Sequence, residues 1–188
     1  MPAILAALVL VLMVAIVVTR VVLLRRLGVS AMEFGKTHKT DFFLPPFVLF
    51  YFYLVFAHAF GWLTLAHQVL FLSSSLAWVG VSLCALGLVL MAWSVVSFGR
   101  SFRVGIDTER PGTLVTTGAF AFSRNPIYTA FAFILVGQFL VFPNWIPLLA
   151  IVAGFALFHR QVLREEAYLR GLYGDEYTQY THRVHRYI

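Results

Sequence analysis

Two polar blocks hold the residues of this chain whose types and spacing could do chemistry. Residues 114–128 read Leu-Val-Thr-Thr-Gly-Ala-Phe-Ala-Phe-Ser-Arg-Asn-Pro-Ile-Tyr, and about forty residues later comes Arg-Glu-Glu-Ala-Tyr-Leu-Arg-Gly-Leu-Tyr-Gly-Asp-Glu-Tyr, residues 164–177. Each block sits at the end of a very apolar segment, where charge is expensive unless it meets water, headgroups or a ligand. Arg124 and Tyr128 flank the start of such a segment. Arg124 can snorkel to headgroups and Tyr128 can belong to an interfacial belt, or both can wall a pocket. Glu165 directly follows an apolar run, and a carboxylate there can receive an ammonium through a charge-assisted hydrogen bond; Glu166 reads as an exposed helix charge. Segment 99–125 carries Gly99, Gly105, Gly112 and Gly118 beside Pro111. Such glycines suit a loop folding close over a nucleotide-like ligand, or simply a long turn. The six histidines match no zinc spacing. Cys84, the single cysteine, lies in an apolar run and reads as a buried thiol. No nucleophile with a base, P-loop or dinucleotide fingerprint is present.

The elements that must position these blocks are membrane spans. Of the 188 residues 61% are hydrophobic and only 12% charged, against about 45–50% and about 25% in soluble domains. Apolar runs predict five helices at about 2–24, 42–65, 76–98, 126–142 and 145–159. The first, with Arg20 near its end and Arg25 and Arg26 after it as a stop, reads as a span rather than a signal peptide, because no basic residue precedes it and no small-residue cleavage site follows. Pro143-Asn144 predicts a tight helical hairpin between the last two. All fourteen Lys and Arg fall within 20–39, 100–124 and 160–186, while connections 66–75 and 143–144 carry no Lys, Arg, Asp or Glu. Five spans with the N-terminus outside put every charged region on one face, cytoplasmic by the positive-inside rule. The net charge of +6 then reflects topology and contact with anionic lipid, not nucleic acid. The expected fold is an all-α integral membrane protein, one domain over 1–188, with a cytoplasmic cap from 99–125 and 160–188. Gly174 is a plausible helix end, after which Tyr177, Tyr180, Arg183 and Tyr187 form a tail on the headgroup region, closing the site.

The spacing L-V-x-x-G-x-[YF]-x-x-x-R-[HN]-P-x-Y, followed by E-E-x-x-L-x-x-x-[YF]-G-x-x-Y-x-x-Y, resembles the isoprenylcysteine carboxyl methyltransferase family, and phospholipid methyltransferases share its general pattern. The resemblance covers roughly residues 98–188. It implies S-adenosylmethionine as cofactor, with Leu114, Val115 and Phe120 along its adenosine. It implies that Arg124, Asn125, Pro126 and Tyr128 complete the cofactor site, and that Glu165 receives the α-ammonium. Phe120 stands where the family often has tyrosine and Asn125 where it usually has histidine. Methyl transfer also suits the missing nucleophile, since it needs mainly alignment and desolvation.

One departure bears on the acceptor. In the carboxyl methyltransferases an arginine four residues before the first glutamate meets the substrate carboxylate; here that position is Gln161, with Arg160 and Arg164 nearby. Arg160 and Gln161 are therefore the catalytic candidates, and Arg160 would substitute only if the helix realigns. A neutral amide favours a phenol, hydroxyl, thiol or amine acceptor over a carboxylate, with Arg160, Arg164 and Arg103 shaping its approach. The expected partners are a lipophilic acceptor entering from the bilayer and membrane lipids, with no metal and no nucleic acid. Two alternatives remain open: a membrane reductase of the sterol-reductase type, and a non-catalytic membrane partner or transport protein. Against transport, no Asp, Glu, Lys or Arg lies mid-span.

Overall fold

A computed structural model describes residues 1–28, 44–62, 69–101 and 112–188. Among them the chain forms five α-helices and no strand: α1 (Pro2–Arg26), α2 (Leu44–Ala59), α3 (Ser74–Ser97), α4 (Pro126–Val141) and α5 (Trp145–Arg183). Short 3₁₀ turns occupy Gly99–Ser101 and Gly118–Ala121. The expected ends of the second span, His67, Arg103, Gly105 and Pro111 lie outside the described residues. α1, α3 and α5 are long and apolar enough to cross a membrane. α2 and α4 have 16 residues each, about 24 Å of helix, less than the roughly 30 Å of a hydrocarbon core.

Local chemistry fixes the helix ends. Pro126 opens α4, where its missing N–H leaves nothing unpaired. Ser73 caps α3 by accepting from the Leu76 N–H at 3.3 Å. Asn144 caps α5, its Oδ1 accepting from the Ile146 N–H at 2.9 Å.

The helices run alternately up and down. α3 and α4 approach most closely, across a seam of Gly80, Cys84, Gly87 and Gly137. A Cβ on Gly137 would stand 2.5 Å from the Gly80 carbonyl oxygen and 2.7 Å from Cys84 Sγ. Two apolar clusters fill the bundle: Leu10, Tyr51, Cys84 and Ile134 toward one end, Leu24, Met91, Val95 and Ala130 toward the other. Gln138 on α4 donates Nε2 to the Ala6 carbonyl of α1 at 2.7 Å, satisfying a buried amide where no water competes. The hairpin predicted for the last two helices forms: Phe131 stacks on Phe158 with centroids 5.2 Å apart, and Leu135 reaches Gly154. Leu70 N–H donates to the Pro143 carbonyl at 2.8 Å, so the approach to α3 lies beside the α4–α5 turn.

α5 does not end with its apolar part. Its 39 residues carry the chain out of the bundle to Arg183, interrupted at Gly174 with φ 53°. The expected break is therefore present, but residues beyond it resume a helix that turns back toward the 117–125 segment rather than forming a surface tail.

Candidate functional site

The two polar blocks meet at one end of the bundle. The segment entering α4 is held from below by α3. Ala119 N–H donates to Ser97 Oγ at 3.1 Å, and Gly118 has φ 63° with no room for a Cβ, which would fall 2.3 Å from the same Oγ. Phe120 is buried with its ring edge-on to Phe98, centroids 4.7 Å apart. Its carbonyl accepts from the Tyr180 hydroxyl at 2.6 Å. Leu114 and Val115 are half-buried in the stretch leading to that turn. Tyr173 donates its hydroxyl to the Gly112 carbonyl, so α5 grips this stretch at both ends.

The adjacent glutamates of α5 face different partners, and the expectation for Glu166 is overturned. It is not an exposed helix charge but 4% exposed. Its Oε1 accepts from Asn125 Nδ2 at 3.2 Å and from Arg186 Nε at 3.0 Å, and its Oε2 accepts from Arg186 Nη2 at 2.9 Å. Arg124 Nη2 stands 3.5 Å from Oε1. Burial alone would raise its pKa, but the Arg186 hydrogen bonds, the Arg124 and Arg186 charges and the Asn125 amide together hold it below the usual carboxylate value. The reason is geometric: one residue turns a side chain about 100° around the helix, which here carries Glu166 inward onto the segment before α4.

Glu165, half-buried, faces α4. Its Oε1 accepts from the Tyr128 hydroxyl at 2.7 Å and from Gln161 Nε2 at 3.1 Å. Arg160 is exposed, about 140° around α5 from Glu165 by helical rotation, whereas Gln161 is only about 40° away. The structure brings Gln161, and not Arg160, to Glu165. Asn125 spends its amide donors on Glu166 and on the Arg186 carbonyl at 3.2 Å. Pro126 is buried as the first residue of α4. Arg124 Nε is buried with no partner among the described residues.

Sequence reasoning missed the inward packing of the chain end. Tyr177 and Tyr180 are 2% and 4% exposed, not spread on a headgroup surface. Burial, then the charge of Glu166, pushes the Tyr177 hydroxyl up to about 12 against the pull of Arg124, so it stays protonated at neutral pH. Arg186 gave no signal in the sequence, because its partner is twenty residues back across the Gly174 reversal. Residues 184–188 lie along the segment before α4: Arg124 N–H donates to the His185 carbonyl at 2.9 Å, and Ser123 Oγ to the Arg186 carbonyl at 3.2 Å. Tyr187 lies with its hydroxyl 3.0 Å from His159 Nδ1. Among the described residues no group of His, Cys, Asp or Glu could hold a metal ion. A small cavity lined by Ala6, Tyr51, His58 and Gln138 is at the opposite end of the bundle and shares no residue with this cluster.

Comparison with known proteins finds relatives of part of the chain. Protein-S-isoprenylcysteine O-methyltransferase B of Arabidopsis thaliana is 32% identical over 108 residues, 56% of this chain and 55% of the relative. A probable protein-S-isoprenylcysteine O-methyltransferase of Oryza sativa subsp. japonica is 32% identical over 114 residues, 58% and 59% of the two chains. The Schizosaccharomyces pombe protein-S-isoprenylcysteine O-methyltransferase is 32% identical over 102 residues, 53% and 43%. The chain spans about half the length of the curated relatives it matches. The phospholipid methyltransferase family model matches residues 75–176, which begins inside α3, well before the two polar blocks, and includes Ser97, Arg124, Tyr128, Gln161 and both glutamates. With more than half of its residues matched, the chain belongs to the phospholipid methyltransferase family.

Proposed function

We propose that this protein is an integral membrane methyltransferase that uses S-adenosylmethionine to methylate a lipophilic acceptor. The observation that carries the reading is the division of labour between two adjacent carboxylates. Glu166 holds Arg186, Asn125 and Arg124 at the segment before α4, and Glu165, one residue earlier, accepts from Tyr128 of α4 and Gln161 of α5. Family membership supports the same reading.

The residues fit the methionine end of such a cofactor. That end is a zwitterion, and it calls for an anion and a cationic donor close together. Glu165 is the anion for the ammonium, oriented by Tyr128. Arg124 is the cationic donor for the carboxylate, its buried Nε being unmatched among the described residues. Leu114, Val115 and Phe120 supply apolar surface for the adenosine. Asn125 and Pro126 act by shaping the turn, since the Asn125 amide donors are engaged within the protein and Pro126 is buried as the first residue of α4. When bound, the cofactor supplies a methyl group on a positively charged sulfur, so the protein need supply no nucleophile. What the chain's own residues contribute is alignment and exclusion of water.

The acceptor class follows from Gln161. A carboxylate only accepts, so the atom that Gln161 presents to Glu165 must be the amide nitrogen. The amide is thereby oriented, and its carbonyl oxygen faces away from Glu165 as a hydrogen-bond acceptor. Such a group welcomes a hydroxyl, phenol, thiol or amine and offers no ion pair to a carboxylate. The acceptor would reach it sideways from the bilayer, and the cofactor from the cytoplasm, where the charged regions lie in the five-span topology. The test is a methylation assay on wild type and Gln161→Arg, comparing farnesyl-cysteine with neutral lipophilic acceptors. The wild type should prefer the neutral acceptors, and Gln161→Arg should shift preference toward farnesyl-cysteine. Efficient carboxyl methylation by the wild type would refute this acceptor class.

A further inference from the structure

Arg186 stands twenty residues and one reversal away from Glu166, the acidic side chain it touches among the described residues. Its guanidinium engages both oxygens of Glu166, at 3.0 and 2.9 Å, the two-pronged geometry that is strongest for this pair. Around that anchor the last residues behave as a strap over the segment entering α4. The His185 carbonyl takes the Arg124 N–H, and the Arg186 carbonyl takes both Ser123 Oγ and Asn125 Nδ2. Ser123 is fully buried, and its Oγ in turn accepts from the Asn125 N–H at 3.1 Å. The Arg124 N–H, the Ser123 hydroxyl and the Asn125 amide are therefore held by the strap, and the Asn125 amide by Glu166 as well.

We infer that Arg186 is a positioning residue for cofactor binding: by clamping Glu166 it holds the strap whose carbonyls set the backbone at Arg124 and the side chain at Asn125. The inference rests on the methyltransferase reading above, but it concerns a residue outside the matched part of the family, which ends at residue 176. Arg186 need not touch the cofactor. Without the clamp the strap loses its anchor, the Arg124 N–H loses a well-placed acceptor, and the Arg124 side chain is no longer aimed.

Arg and Lys are not equivalent at such a site, because an ammonium cannot engage both carboxylate oxygens in one plane. This makes the conservative variant informative. S-adenosylmethionine affinity is measured by titration on the detergent-purified protein for wild type, Arg186→Ala, Arg186→Lys, Glu166→Gln and the Arg186→Ala/Glu166→Gln double variant. Tyr187→Phe serves as control, removing only the His159 contact. Arg186→Ala should weaken binding roughly tenfold, Arg186→Lys should recover part of the loss, and Tyr187→Phe should bind as wild type. The double variant should be no weaker than the worse single variant, because both act through one clamp. A general loss of packing would not give that non-additivity or the partial rescue by lysine. The inference is overturned if Arg186→Ala binds within twofold of a wild type that does bind, or if the two single losses multiply in the double variant. Failure of the wild type itself to bind would instead overturn the function proposed above, so the two outcomes are distinct.

Discussion

At the scale of single residues, Glu165 and Glu166 serve two sides of α5, the first accepting from Tyr128 and Gln161 and the second gripping Arg186 and Asn125. That a carboxylate follows the last apolar run, and that Arg124 and Tyr128 open the preceding one, was legible from spacing. Which glutamate faces inward was not, because that depends on the rotation of α5 against the 123–125 segment. Arg186, arriving by tertiary contact alone, leaves no local trace. The Glu166 cluster makes a pH prediction. Its folded pKa lies below the ordinary 4.5, so the folded state binds fewer protons than the unfolded one at acidic pH. Its contribution is therefore complete above about 4.5 and is lost as the pH falls from there through the folded value. Glu166→Gln should lower stability at pH 7 by about 1.5–3 kcal/mol, the range for a hydrogen bond to a charged group. The gap between variant and wild type should shrink in acid, as thermal unfolding followed from pH 7 to below 4 would show. A gap that does not change with pH would mean that the carboxylate's charge is immaterial.

At the scale of elements, continuous apolar runs announced all five helices, and α4 begins at the predicted proline. The close α3–α4 seam was hidden, because Gly80, Gly87 and Gly137 read as ordinary glycines in apolar runs until the partner helix is known. That seam matters to the site, since α3 supplies Ser97 beneath Gly118 and α4 carries Asn125 and Tyr128. Gly137→Ala would put a Cβ against the Gly80 carbonyl and Cys84, and crowding of this kind typically costs about 1–3 kcal/mol. Gly171→Ala meets nothing within 4 Å and should be neutral or stabilising by up to about 1 kcal/mol, the helix-propensity difference. Thermal denaturation in detergent compares the two; equal effects would contradict the close packing of α3 on α4. The end of α5 was half legible: Gly174 reads as a break, but nothing in the composition of 175–188 says that its tyrosines turn inward rather than onto a lipid surface.

For the whole molecule, charge placement and helix order lead to one arrangement, with the polar blocks gathered at one end and the α4–α5 turn at the other. Leu70 lies by that turn, and Asp175 lies beyond the site. Cysteines at these positions, introduced after replacing buried Cys84 by alanine, should react with an impermeant thiol reagent from opposite sides of the membrane, position 175 from the cytoplasmic one. Labelling of both from one side would exclude the five-span arrangement. The central claim is that this bundle end binds S-adenosylmethionine through Glu165, and it is tested most directly by calorimetric titration of the purified protein with that cofactor. Wild type should bind. Glu165→Gln, which keeps size and removes charge, should bind roughly tenfold or more weakly, as expected for a lost charged hydrogen bond, with its unfolding temperature little changed. No binding by the wild type at millimolar cofactor, or Glu165→Gln binding within twofold of wild type, would contradict the account.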